Sequence, residues 1–546
     1  MTRCLRAILV LSLTLALHSS VGAQGMGSVT GTASDETGGV LPGVTVDLWR
    51  NNEMFTETVT DGAGRYRFDD VPAGPAELTF RLINFTLVRR SVMVAPGGVS
   101  TADAIMHVAV SADIVITAPR TFRNLAEIEN PAENLVGIAS AGSEGAITAA
   151  QLAVRPVNRA TEVLETVPGM VISQHSGEGK ANQYYLRGFN LDHGFDFAQT
   201  IAGIPVNMPT HAHAQGYADS NFLIPELVSG VQFRKGPYYA ENGDFSSAGS
   251  ANLNYFNVLD RSIVSVTGGS FDYGRVFGAA SPRVGAGNLL LAFEWERDNG
   301  PWESPNNKDK YNGVVRYSQG DSRNGLSLTL LGYSNHWHST DQIPQRAVDS
   351  GQISRFGFIE DSDGGETFRY AGVFDWQRSG ARDSTRLTGF VQRYGVQLFH
   401  DFTYFLDDPV NGDQFEQFER RWTGGTKLTY RRLDHFGPQH AETAFGVDYR
   451  IDSVGGPLGL YHTRDTARLE TKRADEADQQ SIGLFADSQI ELSPTIRTTF
   501  GLRGDVFHWN VTSDNPVNSG SDTSGILSPK ISAAFGPWHG TELYAN

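Results

Sequence analysis

From Asp260 to Asn546, segment after segment alternates apolar and polar residues with a period of two. In "TAFGVDYRID", Phe445, Val447, Tyr449 and Ile451 fall on one side and Asp448, Arg450 and Asp452 on the other. "SIGLFADSQIEL" sets Ile482, Leu484, Ala486, Ile490 and Leu492 against Asp487, Gln489 and Glu491. "IRTTFGLRGDV" sets Ile496, Phe500, Leu502 and Val506 against Arg497, Arg503 and Asp505. This is the period of a strand, whose side chains point alternately to opposite faces. One or two such strands would suit a soluble sandwich. Charge on the second face of strand after strand, in segments of about ten residues, fits a transmembrane antiparallel β-barrel with an apolar exterior and a polar lumen. Lipid offers no partner to backbone N–H and C=O groups, so strands that cross it must pair with neighbours. Trp337, Trp376, Trp422 and Trp509 near strand ends suit interfacial girdles, and the polar stretches Asp298–Lys310, His338–Gly365 and Gly455–Asp478 are expected as loops.

The N-terminus agrees with export. Arg3 and Arg6 precede the apolar run Ala7–Leu17, and the small residues Val21-Gly22-Ala23 suit cleavage, so residues 1–23 read as a signal peptide. The one cysteine, Cys4, lies inside that leader, leaving the mature chain without a thiolate for catalysis or zinc. Past the leader no run of about 18 apolar residues occurs, which excludes a transmembrane helix and leaves strands open. With 44 Lys+Arg against 61 Asp+Glu the formal charge is −17, which disfavours nucleic acid as a partner.

Residues 27–110 read as a small immunoglobulin-like β-sandwich. Val44, Val46 and Leu48 alternate with Thr45 and Asp47, and Tyr66 and Phe68 with Arg67 and Asp69, between turns at Gly38-Gly39, Pro42-Gly43, Asp61-Gly62 and Pro72-Ala73-Gly74. The order G-x-V-x-G, L-P-G-V-x-V, D-G-x-G-x-Y-x-F-x-x-V-P-x-G resembles the carboxypeptidase regulatory-like domain. No H-E-x-x-H accompanies it, so no peptidase activity follows. Next, "SADIVITAPR", Ser111–Arg120, reads either as the last strand of the sandwich or as a free strand offered to a partner's sheet edge. Residues 155–256 form a mixed α/β unit. Here Val163, Leu164 and Val167 share a helical face that stops before Pro168-Gly169, and "SGEGKAN" only mimics a phosphate loop.

Four ordered stretches of that unit, "VLETVPGMVIS" (163–173), "YYLRGF" (184–189), "IAGIPVN" (201–207) and "LVSGVQFRKGP" (227–237), resemble the plug of TonB-dependent outer-membrane receptors. Ala202 stands where that pattern has Asp, and Ser229-Gly230 where it has Glu-Arg. The resemblance implies a plug at 155–256 inside a barrel begun at 260–546, in the outer membrane of a Gram-negative bacterium with the sandwich in the periplasm. It also implies that Asp113, Ile114, Val115, Ile116, Thr117 and Ala118, within the 111–154 linker, form a TonB box. The implied partners are TonB with its inner-membrane motor proteins, outer-membrane lipid and a small-molecule ligand. Arg187, Gly188, Gly236 and Pro237 read as plug architecture, where glycine permits close backbone approach and proline fixes a turn. Family barrels have about 22 strands and Ser262–Tyr544 offers about a dozen, so a receptor truncated within its barrel is expected.

The resemblance places "FNLDHGFDF" and "NMPTHAHAQGY" at the extracellular apex of the plug, bringing Asn190, Asp192, His193, His211, His213, Gln215 and Tyr217 into one candidate ligand surface. Imidazole with carboxylate suits a transition metal or its chelate as transported ligand, with His211 and His213 as candidate metal ligands, although a hydrogen-bonded loop would use the same residues. No resident cofactor is required. A zinc hydrolase would need three ligands, a general base and a dry pocket, so no catalytic residues are assigned and no enzyme is expected. The functional expectation is energised import of a scarce solute such as a siderophore or metal chelate. The alternative is outer-membrane adhesion or signalling with the sandwich as interaction module.

Overall fold

The alternating region folds into an antiparallel sheet of fourteen strands, from Ile263–Gly268 to Thr541–Ala545, in which neighbours along the chain pair in sequence order except that Gly274–Ala280 and the short Arg283–Val284 both pair with Gly287–Asp298. The computed structural model describes residues 25–106 and 140–546, apart from residues 36–37, 52, 84, 86, 175–178, 321–323, 340–341, 381, 438, 494 and 539–540. The signal peptide and the Asp113–Ala118 segment lie outside the described residues. Two compact units result, Met1–Val108 and Ala109–Asn546.

In the first unit, two four-stranded sheets pack as a sandwich, one built around Met26–Asp35 and the other ordered Glu53–Val59, Thr45–Arg50, Gly74–Arg81, Val88–Val94. Val44, Val46, Leu48, Tyr66, Phe68 and Phe80 form its core. Asp47 alternates with them in sequence yet is also buried, where its Oδ2 accepts from Arg81 Nε at 3.1 Å.

In the second unit the strand faces divide as their alternation dictates. Phe445, Leu484, Phe500, Leu502 and Val506 are exposed on the outer face, whereas Asp452, Arg497, Arg503 and Asp505 are buried on the inner one. Two expectations change. Trp337 is buried with Met208, Tyr394, Val396 and Leu398 on the lumen side and is no girdle residue. Gly455–Asp478 is not a loop but the continuation of a hairpin between strands Gln439–Arg464 and Ala467–Ser493, turning at Asp465 and Thr466 with φ of 49° and 65°. Polar side chains on both faces of these strands hide the two-residue period there, while positive φ at both central positions is what a tight hairpin turn needs.

The sheet surrounds a plug. Its five-stranded mixed sheet runs Ile204–Pro205, Phe197–Ile201, Gly249–Tyr255, Val228–Lys235, Glu144–Thr148, and a three-stranded sheet holds Met170–Ser173, Gln183–Leu186 and Phe189–Asn190. The edge strand Glu144–Thr148 and the helix Ala149–Ala153 extend this unit ahead of the start expected at Arg155. Val163, Leu164 and Val167, on the 3-10 helix Ala160–Thr166 and its C-cap, join a core that continues through Phe197, Val231 and Leu253 into the wall residues Phe277, Leu290 and Val314. Arg187 and Gly188, with φ of 53° and 83°, make the two-residue turn between Gln183–Leu186 and Phe189–Asn190. Gly236 (φ 84°) precedes Pro237, and its N–H donates to Ala248 O at 2.8 Å. Ala202 occupies the same left-handed region at φ 51°, a position that aspartate or asparagine fills with less strain.

Charged pairs hold plug to wall. Arg275 reaches Glu226 at 2.6 Å, while Arg431 and Lys427 reach Glu241 at 2.8 and 3.3 Å. Burial alone would raise the Glu241 carboxyl, but Lys427, Arg431 and Arg234 outweigh it and hold the group well below the usual carboxylate range. A carboxylate with a depressed native pKa contributes stability that is present above its unfolded value, near 4.5, and lost as pH falls through the native value. Hydrogen exchange across residues 236–249 should therefore stay slow down to about pH 4.5 and quicken on further acidification, with Glu241→Gln removing most of this pH dependence. On the outer face, Leu484→Arg should cost about 2–4 kcal/mol of folding free energy in lipid vesicles, read by urea unfolding.

Candidate ligand site between plug and barrel wall

Residues 208–217 leave the plug as a loop closed at its base, where the Met208 N–H donates to Tyr217 O at 3.1 Å. One buried side chain ties that base to its surroundings. Asn207 Oδ1 accepts from Gln199 N at 2.7 Å, and its Nδ2 donates to Gly194 O at 2.8 Å, Phe197 O at 3.1 Å and Gly216 O at 3.3 Å. Both apical stretches therefore meet on one amide. Gly216, at φ 69°, packs so tightly that a Cβ there would lie 2.6 Å from Phe195.

The wall strand Phe415–Phe436 grips the loop by its backbone. Glu419 Oε2 accepts from Ala212 N at 2.8 Å, Gln417 Nε2 donates to Ala212 O at 2.9 Å, and Arg421 donates to Thr210 O. Glu419 and Arg421 are fully buried and paired at 2.7 Å, with Asp452 as a second carboxylate 3.3 Å from Arg421. A register shift between Phe418 and Arg421 accompanies this cluster, the sign of a bulge that re-aims side chains.

The candidate residues separate here. His193, His211 and Tyr217 are buried, Asp192 and His213 are partly covered, and Asn190 and Gln215 are exposed, so the expected open surface is largely roofed by the wall. Asn190 Oδ1 caps the turn by accepting from Asp192 N at 2.8 Å. His211 stacks on Tyr217 with ring centres 4.0 Å apart. Its Nδ1 accepts from His213 N at 3.0 Å, so the proton sits on Nε2, which faces Tyr394 Oη at 3.2 Å and Glu419 Oε2 at 3.8 Å. The Tyr217 hydroxyl accepts from Ala181 N at 2.7 Å. Burial, followed by the charge of Arg421, holds the His211 imidazolium well below its ordinary value. Burial followed by Lys180 does the same for His213, and both rings are neutral at neutral pH.

His213 turns away from His211. Its Nδ1 lies 2.7 Å from Gln417 Oε1, and its Nε2 lies 3.1 Å from His193 Nε2. His193 Nδ1 in turn faces Ala181 O at 2.9 Å and Asn182 O at 3.2 Å. The barrel adds His400, buried, with its ring centre 5.8 Å from that of His213. Tyr394, His400, Gln417, Glu419 and Arg421 were not singled out from sequence. The only local signal is the charged run Glu416–Arg421, whose inward residues break strict alternation.

The chain matches the carboxypeptidase regulatory-like domain over residues 28–107 and the TonB-dependent receptor plug domain over residues 138–250. Its fold is similar to that of the ferric citrate transporter FecA in the unliganded form, at TM-score 0.63 and 14% identity, covering 75% of this chain and 62% of that one. It is also similar to the ferric-catecholate import receptor Fiu of E. coli K12 in its open form (TM-score 0.56, 14% identity, 73% and 68% covered). The copper transporter OprC is alike at the same level (TM-score 0.56, 15% identity, 74% and 62% covered). At these identities the likeness is one of fold.

Replacing Asn207 by Ala leaves one N–H and three carbonyl groups of the apex without their buried partner, which should cost about 3 kcal/mol. Hydrogen exchange of residues 190–217 should then quicken about 100-fold while the barrel strands stay protected.

Proposed function

Starting from a chain with the domains and fold of a TonB-dependent receptor, we infer that it imports a scarce solute across the outer membrane by binding it at the plug apex and moving the plug under energy from TonB. The observation that carries this reading is the roofed apical loop, whose buried imidazole, phenol and carboxylate groups come from plug and wall together. A ligand held there touches both bodies, so its binding changes the contacts that hold the plug in place. The grip is polar and backbone-directed, which a water-filled gap can replace at modest cost.

The first described plug element after the Asp113–Ala118 segment is the edge strand Glu144–Thr148, held to Val228–Lys235 by the ladder from Glu144↔Arg234 to Thr148↔Gly230. Tension on a strand added to TonB's sheet edge would reach that outer strand before the buried core of the plug. Breaking an edge ladder leaves the central strands paired, which suits a reversible opening. FecA is a ferric citrate transporter, Fiu a ferric-catecholate import receptor and OprC a copper transporter, and cargo of that size fits a site lined by a few side chains.

Retention of the full chain, in detergent, on an immobilised TonB C-terminal domain tests the coupling. Deleting Asp113–Ala118 should lower retention at least about tenfold, because strand addition is the contact being removed. Equal retention would overturn the reading.

A further inference from the structure

The strands Phe415–Phe436 and Gln439–Arg464 form a long hairpin that runs the height of the wall. Its open end reaches the apex, where Phe415 lies against His400 with ring centres 5.7 Å apart. Its turn, at the opposite end, consists of the two residues Gly437 and Pro438. A loop that short fixes the register of a hairpin, and here it sets Phe436 against Gln439, His435 against His440 and Asp434 against Ala441. Residues directly opposite each other share a face of the sheet, with Cβ atoms about 4.5–5.5 Å apart. The turn itself therefore brings the two imidazoles together.

The rings stand with their centres 4.6 Å apart and their planes inclined at 49°. Each offers a ring nitrogen within 4.8 Å of one on the other. Two imidazole nitrogens bound at about 2.0–2.1 Å to a tetrahedral ion are about 3.3 Å apart. A small rotation of one ring closes that difference, and His435 is exposed, so its ring turns without disturbing the packing around the buried His440. The ladder on both strands holds the two Cβ atoms in place, so little further ordering is needed when an ion arrives. The carboxylates of the hairpin nearest the pair are engaged by arginine, Asp434 by Arg432 at 2.8 Å and Glu442 by Arg431 at 3.5 Å. The hairpin's donors are thus nitrogens, which suit zinc, copper and nickel better than magnesium or calcium.

We propose that His435 and His440 form a two-imidazole clamp for a divalent transition-metal ion, with zinc as the simplest case, which ties the two strands together beside their turn. Two protein ligands leave the remaining coordination positions to water or to the donors of a small chelator. An ion that bridges the strands must leave before the turn opens, so its binding slows the fraying of this end of the hairpin. The site depends on the register of one hairpin and on nothing about what the receptor imports, so it stands or falls separately from the import reading.

Hydrogen exchange of the full chain in detergent, followed over residues 430–446 as zinc is raised, tests the clamp. Where exchange proceeds by openings that break the site, zinc slows it by one plus the ratio of zinc to its dissociation constant, reaching about 100-fold at zinc 100 times that constant. Calcium at the same concentration should leave the rates unchanged. His435→Ala removes an exposed ring, so without zinc the variant should exchange as the parent chain does. With zinc its slowing should fall to about twofold, as for a dissociation constant 100-fold weaker, and His440→Ala should show the same loss. His435→Cys supplies a soft donor at the same position and should recover most of the slowing, which a merely structural role for the ring would not. Changing both His336 and His338 to Ala, a ring pair 5.6 Å apart at the apex end of another strand, should leave the zinc effect on residues 430–446 intact. No slowing in the parent chain, or equal slowing in the parent and in His435→Ala, would overturn the proposal.

Discussion

A strand with lipid on one side has only its other side for charge, and most of this structure follows from that division. The outer face carries Leu484, Leu502 and Val506, while Asp452, Arg497, Arg503 and Asp505 are turned toward the lumen. Buried charge is costly unless paired and hydrogen-bonded. The lumen meets that demand with internal pairs such as Arg421–Glu419 and Arg503–Asp505, and with a plug that supplies Glu226, Glu241 and backbone carbonyls. The plug is thus held largely by groups that the membrane forces inward.

The apex shows the same demand at work in the contact between plug and wall. Glu419, Gln417 and Arg421 spend their polar groups on the backbone of Ala212 and Thr210, which fixes the loop against the wall. Asn207 does the corresponding work from the plug side, joining loop base and strand through one amide. The His193 and His213 rings are oriented by contacts to backbone and amide groups.

Legibility in the sequence follows the range of the interaction. The strand period shows wherever one face meets lipid, as in Phe445–Ile451, and fails within Gly455–Asp478, where residues 467–473 are exposed on both faces and nothing enforces alternation. Trp337 was misplaced for a related reason: an aromatic near a strand end suits either an interface or a lumen filled by Met208, and only packing distinguishes them. The plug was readable because its turns are local, Arg187-Gly188 and Gly236-Pro237 each needing a backbone shape set by neighbouring residues.

The histidines mark the boundary between the two kinds of information. By itself the sequence determined a sandwich, a plug and a lipid-facing sheet, and that imidazoles cluster in two plug turns, because each of these depends on periodicity or on residues close in the chain. Tertiary structure alone decided that His213 faces His193 and not its neighbour His211, and that Gln417 and Glu419, some two hundred residues further on, hold the loop. In a loop, spacing sets no direction for a ring; the partner of each nitrogen does, and those partners arrive only when the wall closes over the plug.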